Sequence, residues 1–234
     1  MITPMETAFP EVHPGVRMWL TDLDAPDADA GAALLSSDET ARAARFVFDH
    51  HRRRFVAGRA ALRRILGAEV GRSPETLVFE YSPAGKPSLP SGVAPGVHFN
   101  LSHSDQWALV AVTRIGPVGV DIEKRRPLAD VLRLAQTAFS PNELDELRGV
   151  APEGREEAFF AGWTRKEAYI KARGDRLALL GDFDVSLASD RPRLTRVAGT
   201  ASETERWALA SFVPVEGYAG ALCVERSTSS AGRR

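Results

Sequence analysis

The chain repeats itself. Leu35-Ser36-Ser37-Asp38-Glu39 returns 104 residues later as Phe139-Ser140-Pro141-Asn142-Glu143. Phe55-Val56-Ala57-Gly58 returns at the same interval as Phe159-Phe160-Ala161-Gly162. Asp22-Leu23-Asp24 parallels Asp121-Ile122-Glu123 at an offset of 99, which requires a five-residue insertion or deletion. A period near half the 234-residue length signals a duplicated unit. Strand and helix patterns alternate within each unit. The expected fold class is therefore α+β, with two similar α+β halves. Such halves meet face to face, and a junction of that kind is where ligand pockets form. The expected divisions are a loose segment over 1–15, a subdomain over 16–115, a second over 116–226, and a disordered tail over 227–234, with the connector near Arg114 to Pro117.

Local signals place the elements. Val16 to Leu23 reads as a strand. Ser37 reads as an N-cap, with helix through Glu39 to Phe46. A helix runs from Arg52 to Leu66, with Gly67 as its C′ residue. Strands are expected over Leu77–Tyr81, Val97–Leu101, Trp107–Thr113 and Val118–Ile122, the last two joined across Gly116-Pro117. Leu128 to Ala138 reads as helical. Ser140-Pro141-Asn142-Glu143 is a helix start with Ser as N-cap, Pro at N1 and Glu at N3. A long helix over Pro152–Ala172 stops before Gly174, and strands follow at Phe183–Leu187, Arg206–Phe212 and Tyr218–Glu225.

Composition removes several function classes. The formal net charge is -1, against the basic field of a dedicated nucleic-acid binder. Cys223 is the single cysteine, so neither a disulfide framework nor a cysteine zinc site can be built. No apolar run nears the roughly 18 residues of a membrane span. Met1 to Pro10 has no basic n-region, so the reading is a cytoplasmic protein. The basic residues are nearly all arginine; Lys86, Lys124, Lys166 and Lys171 are the only lysines. Retained lysines mark places that need a compact ammonium, so they are expected to cluster at a site.

Gly119-Val120-Asp121-Ile122-Glu123 carries the first candidate chemistry. On a strand, Asp121 and Glu123 point to one side while Val120 and Ile122 face a core. Adjacent carboxylates repel unless a cation or donors lie between them, and hard oxygens with room for water and phosphate suit Mg²⁺. The pair alone fits a solvated strand face equally well. In Trp163-Thr164-Arg165-Lys166-Glu167-Ala168-Tyr169-Ile170-Lys171, Glu167 lies one turn after Trp163 and Lys171 one turn after Glu167, along the edge of the apolar stripe. By spacing alone this is also an ordinary i,i+4 ion pair.

Taken in order, these motifs resemble the signature of the Sfp-type 4′-phosphopantetheinyl transferases. Gly85-Lys86-Pro87 is similar to that family's Gly-Lys-Pro turn, Asn100-Leu101-Ser102-His103-Ser104 to its Asn-hydrophobic-Ser-His-Ser segment, and Phe139-Ser140 with Glu143 to its Phe-Ser-x-x-Glu element. The likeness runs from about Arg42 to Ala172, and the length resembles the monomeric, pseudo-twofold branch. It implies transfer of the 4′-phosphopantetheine arm of coenzyme A to a serine of an apo acyl- or peptidyl-carrier protein, with Mg²⁺ and release of adenosine 3′,5′-bisphosphate. It implies Asp121, Glu123 and Glu167 as metal ligands and Lys171 on the phosphates. Glu167 or a metal-bound water is the first choice of base, and Glu143 the second. Arg42, Arg45 and Arg54 match positions for the 3′-phosphate; Lys86, Ser102 and His103 match nucleotide contacts; Lys166 meets the ligand's edge or the carrier. Phe55 departs from a threonine in the best-known member, so adenine contact there becomes apolar. His13, His50, His51 and His98 are given no role.

Two rivals differ in kind. A metal-dependent nuclease wants a lysine two residues after the glutamate, whereas Lys124 follows Glu123 directly and points the other way. A coenzyme-binding regulator would not need three convergent carboxylates.

Overall fold

The computed structural model describes residues 6–26, 28–175, 177–188, 190–198 and 202–226, so the expected tail lies outside the described residues. The chain runs β1 (Glu6–Phe9), β2 (Val16–Asp22), α1 (Ser37–Ala43) and α2 (Asp49–Val70). Two very short strands follow, β3 (Glu80–Tyr81) and β4 (Pro87–Ser88), then the hairpin β5 (His98–Ser104) and β6 (Trp107–Thr113). The second half is β7 (Val118–Lys124), α3 (Val131–Ala135), α4 (Pro141–Gly149), α5 (Arg155–Arg173), β8 (Phe183–Val185), β9 (Leu194–Val197), α6 (Ser202–Arg206), β10 (Trp207–Phe212) and β11 (Tyr218–Glu225).

The two larger sheets are antiparallel, ordered β1-β2-β6-β5 and β10-β11-β7, and the pairs β3-β4 and β8-β9 form two small ones among the described residues. Strand alternation sorts their side chains into layers. Leu62, Ile65 and Leu66 of α2 pack on Phe99, Val110 and Val112 of the first sheet. Ala168 and Tyr169 of α5 join Ala219, Ala221 and Cys223 of the second. The remaining faces meet each other: Val16, Met18, Leu109 and Ala111 share a core with Val118, Val120, Ile122 and Leu222. Full burial of each Val, Leu or Ile contributes about 1.5–3 kcal/mol, so this shared layer joins the halves firmly.

The repeated Ser-x-x-Glu has a structural cause. In each half the glutamate closes a capping box and then serves a buried cation. Glu39 accepts the Ser36 N–H at 3.0 Å and pairs with Arg59 and Arg63, both at 2.6 Å. Glu143 accepts the Ser140 N–H at 2.8 Å and pairs with Lys166 at 2.7 Å. The first cap is therefore Ser36, one residue before the Ser37 that the sequence suggested.

Other boundaries also move. The Pro-rich start holds β1, which pairs with Met18 to Thr21 rather than lying loose. Gly67 sits inside α2, where a Cβ would lie 2.6 Å from the Arg72 carbonyl; the helix ends instead at Gly71, with φ of 66°. A 3₁₀ turn over Pro152–Gly154 precedes α5, and the stretch expected as helix over Leu128–Ala138 shortens to α3. β6 and β7 belong to different sheets, so the Gly116-Pro117 link is a crossing between sheets and not a hairpin turn.

Candidate active site

The site is built on the seam where edge strands β5 and β7 run side by side. Side chains, not a backbone ladder, join them. Asn100, Ser102 and Ser104 alternate along β5 and so share one face. Asn100 Oδ1 accepts the Val120 N–H at 2.9 Å. Ser102 Oγ donates to Asp121 Oδ1 at 2.8 Å, and Ser104 Oγ donates to Glu123 Oε2 at 2.8 Å. One half thus holds the carboxylates that the other half carries.

Helix α5 closes the third side because Gly119 lets it. A Cβ at Gly119 would lie 2.0 Å from the Ala168 carbonyl oxygen and 2.3 Å from the Ala172 N, so no larger residue permits this approach. The neighbouring turn then delivers its functional groups. Lys171 Nζ donates to Asp121 Oδ1 at 2.5 Å and to Ser102 Oγ at 2.9 Å, and lies 3.8 Å from Glu167 Oε2. Trp163 Nε1 donates to Glu123 Oε1 at 3.3 Å. Glu167 is 8% exposed and Asp121 only 2%. Burial pushes the Glu167 carboxyl up to about 7 despite the pull of Lys171, with Asp121 and Glu123 adding to the rise. Burial likewise raises Asp121. It works against the Lys171 ammonium too, but Asp121 and Glu167 outweigh it and hold Lys171 above the ordinary lysine range.

The three carboxylates face one another's charge without forming a finished cage. Among the described residues no group of three His, Cys, Asp or Glu side chains stands close enough to hold a metal unaided. Lys171 is the cation now sharing the space. One atom marks what is missing: Asp121 Oδ2 is buried with no hydrogen-bond partner. An orphaned carboxylate oxygen is costly unless a cation or donor meets it. Hard oxygens supplied partly by protein and partly by phosphate and water are the donor set that Mg²⁺ takes.

On the opposite face of β5, His103 points into a cavity of about 410 Å³ with Leu23, Phe46, His51, Arg54 and Phe55. Desolvation by the surrounding protein, and then the Lys171 charge, lower the His103 pKa from the ordinary histidine value. Arg42 stacks over the Phe55 ring at 5.3 Å, and Arg45 is exposed just beyond α1. Arg54 is clasped by Asp24 and Asp105, each at 2.6 Å, and Lys124 reaches the same Asp105 at 2.5 Å. Arg54 therefore lines the cavity with its charge already matched.

Three expected site residues lie away from the carboxylates. Lys166 is fully buried and donates to both Glu143 oxygens and to the Phe183 carbonyl. Glu143 has both oxygens committed to Lys166 and to the backbone N–H groups of Ser140 and Val185. Neither faces the carboxylates: consecutive helix positions diverge, so Lys166 turns to the core while Glu167 turns to the seam. Lys86 also lies apart from the carboxylates. Its Nζ bridges the Val118 and Ala172 carbonyls at 2.9 Å each, across the two halves. It borders a cavity of about 420 Å³ whose arginines are already paired, Arg206 with Glu225 and Arg173 with Asp175. Of the four lysines only Lys171 touches the carboxylates. Ser104, Trp163 and the pocket residue His51 were not foreseen; the alternation that singles out Ser102 points equally to Ser104.

A carboxylate and ammonium cluster thus lies on the seam of two α+β halves, beside an aromatic cavity that carries Arg54 and His103, the kind of junction where ligand pockets form. The family comparisons name the class. The 4′-phosphopantetheinyl transferase superfamily model matches residues 117–223, and the 4′-phosphopantetheinyl transferase N-terminal model matches residues 25–114. The chain is 42% identical over 212 residues to the 4′-phosphopantetheinyl transferase HetI of Nostoc sp. (strain PCC 7120 / SAG 25.82 / UTEX 2576), covering 89% of this chain and 87% of that protein. It is 30% identical over 159 residues to the 4′-phosphopantetheinyl transferase Sfp of Bacillus subtilis (strain 168), covering 68% and 69%. The chain belongs to the 4′-phosphopantetheinyl transferase superfamily.

Proposed function

We propose that this chain transfers the 4′-phosphopantetheine arm of coenzyme A to a serine of an apo acyl- or peptidyl-carrier protein, with Mg²⁺ at Asp121, Glu123 and Glu167. The serine oxygen attacks the β-phosphorus, a new O–P bond forms, and adenosine 3′,5′-bisphosphate leaves with the electrons of the broken P–O bond. Bound Mg²⁺ supplies charge neutralisation on the pyrophosphate. Lys171 shifts from Asp121 to the phosphates as a point charge. Glu167, at the edge of the seam, takes the serine proton directly or through water. Arg42 and Arg45 receive the 3′-phosphate, and Phe55, Phe46 and His103 flank the nucleotide.

The observation that carries this reading is the orphaned Asp121 Oδ2 inside a carboxylate cluster. A groove of about 180 Å³ beside Glu123, lined by Arg126, Leu134, Phe159 and Trp163 among others, supports carrier approach from that side, because it joins aliphatic and aromatic side chains to one arginine next to the carboxylates. The reading includes a monomer that works in the cytoplasm. Among the described residues no helix is long and apolar enough to cross a membrane. The test is metal withdrawal. Chelator should abolish transfer to an apo carrier and excess Mg²⁺ restore it, while Asp121→Asn should not be rescued. Full turnover in chelator would end the proposal.

A further inference from the structure

Glu123 differs from its two companions. Lys171, the ammonium proposed above to move onto phosphate, reaches Asp121, which Ser102 also holds, and Glu167. Glu123 is held by two neutral donors instead. Ser104 Oγ donates to Oε2 at 2.8 Å, and Trp163 Nε1 donates to Oε1 at 3.3 Å. The serine is itself aimed, since its Oγ accepts the Lys124 N–H at 3.1 Å. That bond leaves the hydroxyl proton for Glu123. A backbone N–H next to Glu123 therefore sets the serine, and the serine sets the carboxylate. The two donors come from opposite halves of the molecule, β5 and α5, so one oxygen of Glu123 is held across the seam and the other from its own half.

We infer that Ser104 and Trp163 are positioning residues that hold Glu123 ready for the divalent cation. This inference rests on the metal reading above and adds which residues prepare it. Each donor leaves carboxylate lone pairs open, so the hydrogen bonds and a metal bond coexist on one group. Partners that orient a metal ligand typically change metal affinity by roughly 10–100-fold when removed. Ser104, at the shorter distance, takes the larger share. The site thereby has a division of labour: Lys171 attends Asp121, with Ser102, and Glu167, whereas neutral donors alone attend Glu123.

The test is Mn²⁺ binding followed by electron paramagnetic resonance, with full-length protein and coenzyme A and with no carrier present. Ser104→Ala should weaken Mn²⁺ binding by roughly 10–100-fold. Ser104→Thr, which keeps the hydroxyl, should restore it to within a few fold. Trp163→Phe keeps the ring, removes the N–H, and should weaken binding by about tenfold or less. In turnover assays the Ser104→Ala defect should be overcome by raising Mg²⁺, with KM for coenzyme A unchanged. Thermal melts establish that each variant is folded. Equal Mn²⁺ affinity in wild type, Ser104→Ala and Trp163→Phe overturns this inference and leaves the metal reading standing. A Ser104→Thr variant as weak as Ser104→Ala also overturns it. Wild-type protein that fails to bind Mn²⁺ overturns both.

Discussion

Removing Glu143 should cost stability and spare chemistry. The Lys166 ammonium is 0% exposed and the Glu143 side chain 1%. Nζ donates to the two carboxylate oxygens at 2.9 and 2.7 Å and to the Phe183 carbonyl at 2.8 Å, above the face of the Phe183 ring at 4.5 Å. Burial pushes Glu143 up and Lys166 down, each toward its neutral form, so each needs the other to stay charged. Glu143→Gln keeps the shape and strands the lysine. Breaking one member of a buried pair costs about 3–5 kcal/mol. For a chain of this size that is a loss on the order of 10 °C in Tm. Replacing both charges by Glu143→Gln with Lys166→Met should cost less than the sum of the single changes, because no uncompensated ion remains. The assays are thermal and urea unfolding, alongside phosphopantetheinyl transfer measured well below the melting transition. Turnover per folded molecule should stay within a few fold of wild type. A Glu143→Gln protein with wild-type Tm and abolished turnover would refute the structural role and return Glu143 to the chemistry.

Two further outcomes follow from the seam and the cavity. Arg42→Ala should raise KM for coenzyme A about tenfold, the usual scale of one charge-assisted contact, and leave KM for 3′-dephospho-coenzyme A unchanged; equal effects on both substrates would remove Arg42 from the 3′-phosphate. Burial holds the Lys86 pKa down to about 8, below its unfolded value. The folded state therefore binds fewer protons between about pH 8 and 10.5, and wild type should gain stability relative to Lys86→Met as pH rises through that window. Parallel melting curves for the two proteins across that range would contradict a desolvated ammonium.

Legibility in the sequence followed how local each cause was. Trp107–Thr113 and Tyr218–Glu225 have the bounds that were expected, since β-rich runs between turn residues fix their own limits. The helix of Glu167 and Lys171 was equally plain from its apolar spacing. β1 was hidden because four residues amid prolines become a strand only when β2 offers an edge. Gly67 looked like a helix stop, yet it serves a close approach by the following turn, a contact no local pattern encodes. Glu143 and Glu167 are both glutamates in family motifs. Both are buried, and only their partners in the fold tell the capping glutamate that holds a core lysine from the one beside Lys171 at the seam. Phe55 was noticed as an apolar residue near adenine; its stacking under Arg42 needed the fold.

The most direct test is the reaction itself. Apo carrier proteins of the fatty-acid, polyketide and nonribosomal-peptide classes are incubated with coenzyme A, Mg²⁺ and this protein, and intact masses are recorded. At least one carrier should gain the mass of a single phosphopantetheine on its serine, with a matching release of adenosine 3′,5′-bisphosphate, and Glu167→Gln should abolish the gain. No mass gain across the whole panel with folded, Mg²⁺-supplied enzyme would contradict the account.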